Sequence, residues 1–406
     1  MDALNKPEQK ALEGSPCQEI LFWIKKAIYL KFPWVDESVV HNLVLTVPPN
    51  HVEAHYSLST FQLQKSTNQT SVAIAKSIVE YCVMHQIPVV KQVFSTGSYV
   101  NIEVYTKFFY REFFSYMRDQ GQEYGICQKQ KDSKVICINY LDNSFYSILL
   151  GQTIRKFNGT SNILHHYFKD QDPELIYMGR EVVHDALENS CAEYVANTNV
   201  IVSIPRDNLP AVVLQKNDKS LTLYALYLGY LKKILRDYSP SRSIYIVTAE
   251  QAEIANFLIV FSKILFLKLT NIDSMALNIG QLKINEKIVG HDLALKYTIL
   301  RTPYNKINAI SSESFSFYYQ LIDTIETLEN SIQKDEYDNK DIAFAQMILD
   351  FSHIVADISS SLRFDKMCIY LEKLASTCET RTIHKYKEQS ICAATVLRNG
   401  LRLLVD

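Results

Sequence analysis

The sequence predicts an α/β plus α protein, with a mixed α+β N-terminal region, a truncated parallel sheet in the middle and an all-helical C-terminal region. Three observations predict it. Apolar residues recur at helical spacing over most of 289–406, short strands alternate with long amphipathic helices over 126–288, and the first 125 residues mix both patterns around one hairpin signal. Of the 406 residues, 47% are hydrophobic and 21% charged, a balance that can build two or three cores.

In region 1–125, residues 39–47 are apolar and β-rich, 71–83 have helical spacing, and 92–104 read as a hairpin around Thr96-Gly97. A helix over 106–118 follows, carrying Phe108, Phe109, Phe113 and Phe114 in adjacent pairs; rings at that spacing belong to a core rather than to a cofactor. In region 126–288, 135–141 reads as a buried strand, 177–194 as an amphipathic helix, 211–214 as a strand, 221–238 as a long helix, 243–248 as a strand and 250–269 as a helix. That alternation argues a small Rossmann-like parallel sheet. In region 289–406, three- and four-residue apolar spacing predicts helices over 315–332, 341–362, 366–377 and 385–404, with the acidic stretch 334–341 a solvated loop.

Charge and composition narrow the chemistry. With 42 basic and 44 acidic residues there is no global basic field, so any nucleic-acid binding rests on local patches. Eight cysteines without a CxxC pair point to reduced, buried thiols and to no zinc site. The 11 glycines are few for an enzyme that must bring backbone up to phosphates. No Walker A loop, GxGxxG, GxSxG or HExxH occurs. His165-His166 are adjacent and do not share a helix face, and His184 with Glu188 reads as a solvated i,i+4 pair, so no metal is expected. No run of 18 apolar residues occurs, so no membrane span is expected. The opening MDALNKPEQKALEGSPC contains acids and no arginine, unlike a mitochondrial presequence, which points to the cytoplasm.

Four segments, in this order, resemble the class I arginyl-tRNA synthetase family in its mitochondrial-type branch. Phe94-Ser95-Thr96-Gly97 with Val100-Asn101 and Glu123-Tyr124-Gly125 is similar to the family's N-terminal domain. The VICINYL stretch at 135–141 with Leu149-Leu150-Gly151 resembles the strand and turn that carry the arginine-binding GDWG segment. Leu223-Tyr224-Ala225, the stretch 244–247 and Glu250-Gln251 resemble the second half of the catalytic sheet, and 396–404 is similar to the closing helix of the DALR anticodon-binding domain. The resemblance implies an N-terminal tRNA-binding domain over 1–125, a degenerate Rossmann-like catalytic domain over 126–288 and a DALR-type helical bundle over 289–406. It implies catalytic remnants at Asn139, Tyr140, Asp142, Tyr224, Glu250 and Gln251. It also implies tRNA contacts at Thr96, Gly97 and Asn101 near the elbow, and at Tyr318, Lys385, Lys387, Arg398 and Arg402 near the anticodon arm. Tyr318 either stacks a splayed base or packs between helices.

Departures from the family pattern gather at its catalytic centre. Residues 126–134 alone stand where the family carries the HxGH segment, and no HxGH occurs in the chain. Asp142-Asn143-Ser144-Phe145-Tyr146-Ser147 replaces GDWGxQ, and Leu226, Tyr227 and Leu228 replace a Thr-Arg-Asp triplet. The histidine after Glu-Gln is missing near Ile254, and 280–289 passes where the KMSKS loop belongs. Each lost charge-stabilising contact is worth about 2.7–4 kcal/mol of barrier. The expected function is therefore tRNA binding, of an arginine tRNA first, without aminoacylation. Such a protein is an adaptor, with a tRNA-modifying enzyme as the type of protein partner, monomeric or in a hetero-complex. No cofactor is expected. ATP and arginine belong to the alternative of an active arginine–tRNA ligase, and a third reading is a structural subunit that binds no RNA. By resemblance the compartment is the mitochondrion, against the cytoplasm implied by the opening stretch.

Overall fold

The computed structural model describes residues 14–49, 51–87, 89–126, 135–139, 145–158, 173–205, 210–248, 251–266, 273–279, 282–284, 291–303, 306, 308–331, 342–383 and 386–406. The chain divides into two compact units. The first comprises Met1–Gly125, Leu321–His353 and Lys373–Asn399, and the second Ile126–Gln320, Ile354–Glu372 and Gly400–Asp406.

The first unit opens with α1 (Pro16–Lys31), started by a capping box between Ser15 and Gln18. Next comes α2 (Glu37–His41), within the stretch read as β-rich. Asp36 accepts from Ser38 N and starts a helical turn there, leaving Thr46 an isolated bridge to Ser57. Then follow β1 (Tyr56–Ser59), α3 (Gln64–Thr67), α4 (Ser71–His85), β2 (Val90–Thr96), β3 (Tyr99–Val104) and α5 (Thr106–Gln120). The strands form an antiparallel sheet in the order β1-β3-β2, and the expected hairpin turns at Gly97, whose φ is +57°. The aromatic pairs of α5 go inward as their spacing predicts. Phe109, Tyr110, Phe113 and Phe114 are buried, while Phe108 stays half-exposed with Arg111 over its ring at 4.5 Å.

The second unit contains β4 (Val135–Asn139), α6 (Phe145–Asn158), α7 (Pro173–Glu188), β5 (Ala192–Tyr194), β6 (Ile201–Ser203), β7 (Val213–Gln215), α8 (Leu223–Tyr238), β8 (Arg242–Thr248), α9 (Ala252–Leu265), β9 (Asp273–Ile279), β10 (Leu282–Ile284), α10 (Asp292–Arg301) and β11 (Asn308–Ile310). The parallel sheet has three strands among the described residues, in the order β4-β8-β9, with Ile244 opposite Cys137 on one side and Met275 on the other. Two readings of the sequence change here. The helix expected over 177–194 ends at Glu188, because Ser190 turns left-handed (φ 53°), and 192–194 becomes β5. The strand expected over 211–214 belongs to an antiparallel sheet, order β5-β6-β7, whose links are too short for the crossover a parallel pair needs. Helices α7 and α8 touch backbone to backbone at two glycines. A Cβ on Gly229 would lie 2.5 Å from Gly179 N. Around that contact Val182, Ala186, Leu228, Phe257 and Phe261 form a core cluster.

The C-terminal helices are α11 (Ser316–Glu329), α12 (Ile342–Leu349), α13 (Phe351–Ser361), α14 (Phe364–Thr380) and α15 (Lys387–Leu404). The region is not helical throughout, since β11 pairs in parallel with β10, a distant pairing that local periodicity cannot reveal. Nor is 341–362 one helix, because the chain breaks at Asp350. Ile342–Ser361 is nonetheless long and apolar enough to cross a membrane by length and composition, at mean hydropathy 1.3, where none was expected. Phe344, Ile348, Phe351, Val355 and Ile358 are buried, the pattern of core helices. Arg242 closes the end of α13 by donating to the Ser359 and Ser360 carbonyls at 2.7 and 2.5 Å. The loop expected over 334–341 lies outside the described residues.

Candidate nucleic-acid interface

At the end of the β2–β3 hairpin Thr96 and Gly97 are exposed, but Asn101 is only 2% exposed. Its Oδ1 accepts from Ser57 Oγ at 2.9 Å and its Nδ2 donates to Thr96 Oγ1 at 3.1 Å. The amide therefore orients Thr96 from within. Thr60 Oγ1 lies 2.7 Å from Ser71 O and 2.8 Å from Ser98 O, and the Ser71 and Ser98 hydroxyls are 2.7 Å apart. These bonds hold two exposed rings beside the turn, Phe61 and Tyr99, edge to face at 6.0 Å. The sequence reading missed both. The signal for Tyr99 is the alternation Val100, Ile102, Val104, which fills the core and leaves the position beside the turn outside it.

On α15, Lys387 is exposed in the first turn, Arg398 is exposed and paired with Glu329, and Arg402 is exposed. Lys385 lies outside the described residues. Within the first unit α15 is tied to the segment after α5. Asn399 Nδ2 donates to the carbonyls of Gln122 and Tyr124 at 2.8 and 2.9 Å, and Tyr124 Oη donates to Leu349 O at 2.9 Å. Between α5 and α15 lies a cleft of about 250 Å³, lined by Phe114, Met117, Ile391 and Cys392 and by the Arg118–Glu388 pair, 3.5 Å apart. Burial pushes the Cys392 thiol up to about 12, so it is no nucleophile.

Of the expected catalytic remnants in the second unit, Asn139, Tyr224 and Gln251 fall among the described residues. Asn139 closes β4 opposite Ile246, and Tyr140, Asp142 and Glu250 lie outside the described residues. Tyr224 is half-buried with its ring edge-on to Phe257 at 5.0 Å, and Gln251 Oε1 accepts from Thr248 N at 3.3 Å, holding the turn into α9. Ala225, Leu226 and Leu228 are buried. Tyr318 is buried beside Tyr297, ring centres 6.0 Å apart, whereas Tyr319 is exposed and its hydroxyl meets His291 Nδ1 at 2.6 Å. Tyr297 Oη donates to Glu372 at 3.0 Å, and Glu372 also takes Arg301 in two bonds of 2.6 and 3.2 Å while that guanidinium lies over Phe317. Burial raises the Tyr297 phenol well above its ordinary value, which keeps it a donor. The ligand atoms of His184, Asp185 and Glu188 come within 4.8 Å of one another on the exposed side of α7, as a metal would require, but Lys232 already holds Asp185 at 2.7 Å.

No protein-family model matches the chain, and no curated protein does. Solved structures match along its length. The arginyl-tRNA synthetase of Plasmodium falciparum is similar with a TM-score of 0.68 at 10% identity, over 96% of this chain and 98% of that one. That of Thermus thermophilus gives 0.71 at 11% identity, again over 96% and 98%. A putative arginyl-tRNA synthetase from Campylobacter jejuni gives 0.56 at 10% identity, over 74% and 98%. The fold is arginyl-tRNA synthetase-like, with small sheets and a helical C-terminal part.

Proposed function

We propose that this chain binds tRNA, an arginine tRNA first, without aminoacylating it, and acts as an adaptor that holds the RNA for a protein partner such as a tRNA-modifying enzyme. The observation that carries this reading is an arginyl-tRNA synthetase-like fold over 96% of a chain that contains no HxGH sequence. Within that reading the chain derives from the mitochondrial-type branch, its C-terminal region is a DALR-type bundle, and its catalytic centre is degenerate. The burial of Leu228, at the position where the resemblance puts the triplet's aspartate, supports the last point. Thr96, Gly97, Phe61 and Tyr99 at and beside the hairpin end, and Lys387 and Arg402 on α15, are exposed, as contacts to RNA require. Binding then depends on phosphate contacts and shape, and neither ATP nor arginine is needed for it.

The test uses the pure full chain with an arginine tRNA transcript. Filter binding should give a salt-dependent complex, tighter than that of an isolated anticodon stem-loop, and arginine-dependent ATP–pyrophosphate exchange should be absent. Replacing Lys385, Lys387, Arg398 and Arg402 by alanine should weaken binding and flatten its salt slope. Exchange activity would instead identify an active ligase. Failure to bind any tRNA would leave the structural-subunit reading.

A further inference from the structure

Helix α1 is built to bury one stripe, and Ile20, Ile24, Ala27 and Ile28 fill it. Its other side carries Phe22 and Tyr29, two turns apart and so about 10 Å along the axis, and Trp34 follows in the turn after the helix. These rings are 56%, 39% and 61% exposed. Three large exposed rings within one short segment, two of them on the same side of the helix, are more than the scattered apolar residues an ordinary surface leaves in water. The segment is also stiff. The capping box fixes its start, and the half-buried Cys17 donates to Gln346 Oε1 at 2.7 Å.

The charges between Phe22 and Tyr29 are positive, whereas the exposed acids Asp36 and Glu37 follow Trp34. Lys25 and Lys26 lie between Phe22 and Tyr29, and Lys31 ends the helix, exposed. Lys25 donates to a backbone carbonyl, that of His41, at 3.0 Å, and the Lys26 ammonium sits 4.8 Å from the centre of the Trp23 ring. Glu19 accepts from Trp23 Nε1 at 2.9 Å instead of pairing with either lysine. Lysine is depleted at the centres of protein–protein interfaces, so lysines set among rings favour a different partner. A chain of flat apolar groups joined by anions fits, because bases stack on the rings while phosphates meet the ammonium groups.

We propose that Phe22 and Tyr29 on the outer side of α1, with Trp34 after it, form a stacking platform for unpaired nucleotides of bound RNA, with Lys26 and Lys31 as its phosphate contacts. The proposal rests on the tRNA-binding reading above and adds a contact surface to it. The experiment compares the full chain with two variants, Phe22→Ala/Tyr29→Ala/Trp34→Ala and Lys26→Gln/Lys31→Gln, against the same tRNA transcript over a salt series. All five side chains are exposed, and a thermal melt checks that both variants fold as the parent does. The aromatic variant should bind at least about tenfold more weakly with its salt slope unchanged. The lysine variant should lose about 1.5 from that slope. Parental affinity and slope in both variants would overturn the platform and leave the tRNA-binding reading standing. A parent that binds no tRNA would overturn both. If the parent binds phosphatidylserine vesicles and the aromatic variant does not, while their tRNA affinities are equal, the face belongs to a membrane surface and the proposal fails.

Discussion

The end of the β2–β3 hairpin and the start of α8 take opposite physical courses. At the hairpin, buried polar groups bond to one another beneath the surface and leave Thr96, Gly97, Phe61 and Tyr99 in contact with water. At α8, Ala225, Leu226 and Leu228 are buried, and Tyr224 turns its ring onto Phe257. A surface can keep its chemistry because its side chains owe nothing to packing. At α8 the apolar side chains close into a core, since burying an apolar side chain stabilises by about 1.5–3 kcal/mol, whereas burying an unpaired charge costs far more.

The largest effect should come from the packed region. Gly229→Leu would force a side chain into the α7 backbone, 2.5 Å from Gly179 N, and should destabilise the protein by about 3 kcal/mol in denaturant unfolding. Tolerance of that substitution would mean that the helices do not meet as closely as described. Next comes Asn399→Leu, which strips the carbonyls of Gln122 and the buried Tyr124 of a donor and should cost about 2 kcal/mol. The hairpin separates two roles. Asn101→Ala removes buried bonds to Ser57 and Thr96 and should cost about 1–2 kcal/mol, whereas Thr96→Ala should change stability by less than about 0.5 kcal/mol while lowering tRNA affinity. Equal losses of stability in both variants would show that the hairpin end is framework alone.

The smallest effect is a pH dependence. Burial raises the Asp350 carboxyl above the usual aspartate value, outweighing the bond it accepts from Gln346 Nε2 at 2.5 Å. The folded form therefore holds this proton more tightly than the unfolded chain. Its contribution to stability is fully present below the ordinary aspartate value and is lost as pH rises through the folded one. Asp350→Asn should flatten stability against pH over that acidic window, which urea titrations across it would detect. An unchanged profile would mean the carboxyl is solvated.

Much of the local structure was legible because it is set by near neighbours. Helical spacing located α4, α5, α8, α14 and α15, and Thr96-Gly97 marked the hairpin turn. What escaped was non-local. The pairing of β10 with β11, the antiparallel β5-β6-β7 sheet and the strand β9 depend on segments distant in sequence, and periodicity carries no information about partners. Among the candidate site residues the identities could be read but not their directions. Asn101 and Tyr318 have the composition of ligand contacts and are buried, while Phe61 and Tyr99 drew no notice and are exposed.

By itself the sequence determined which segments could become helices and strands, which turn closes the hairpin, and which motifs the chain does not contain. Those properties follow from residue type and spacing along one segment. The tertiary structure alone decided that Asn101 supports Thr96 from beneath, that α7 and α8 meet at Gly179 and Gly229, and that the Phe22, Tyr29 and Trp34 rings stay in water. Burial and hydrogen bonding are properties of pairs brought together across the chain, and those pairs exist only once it has folded.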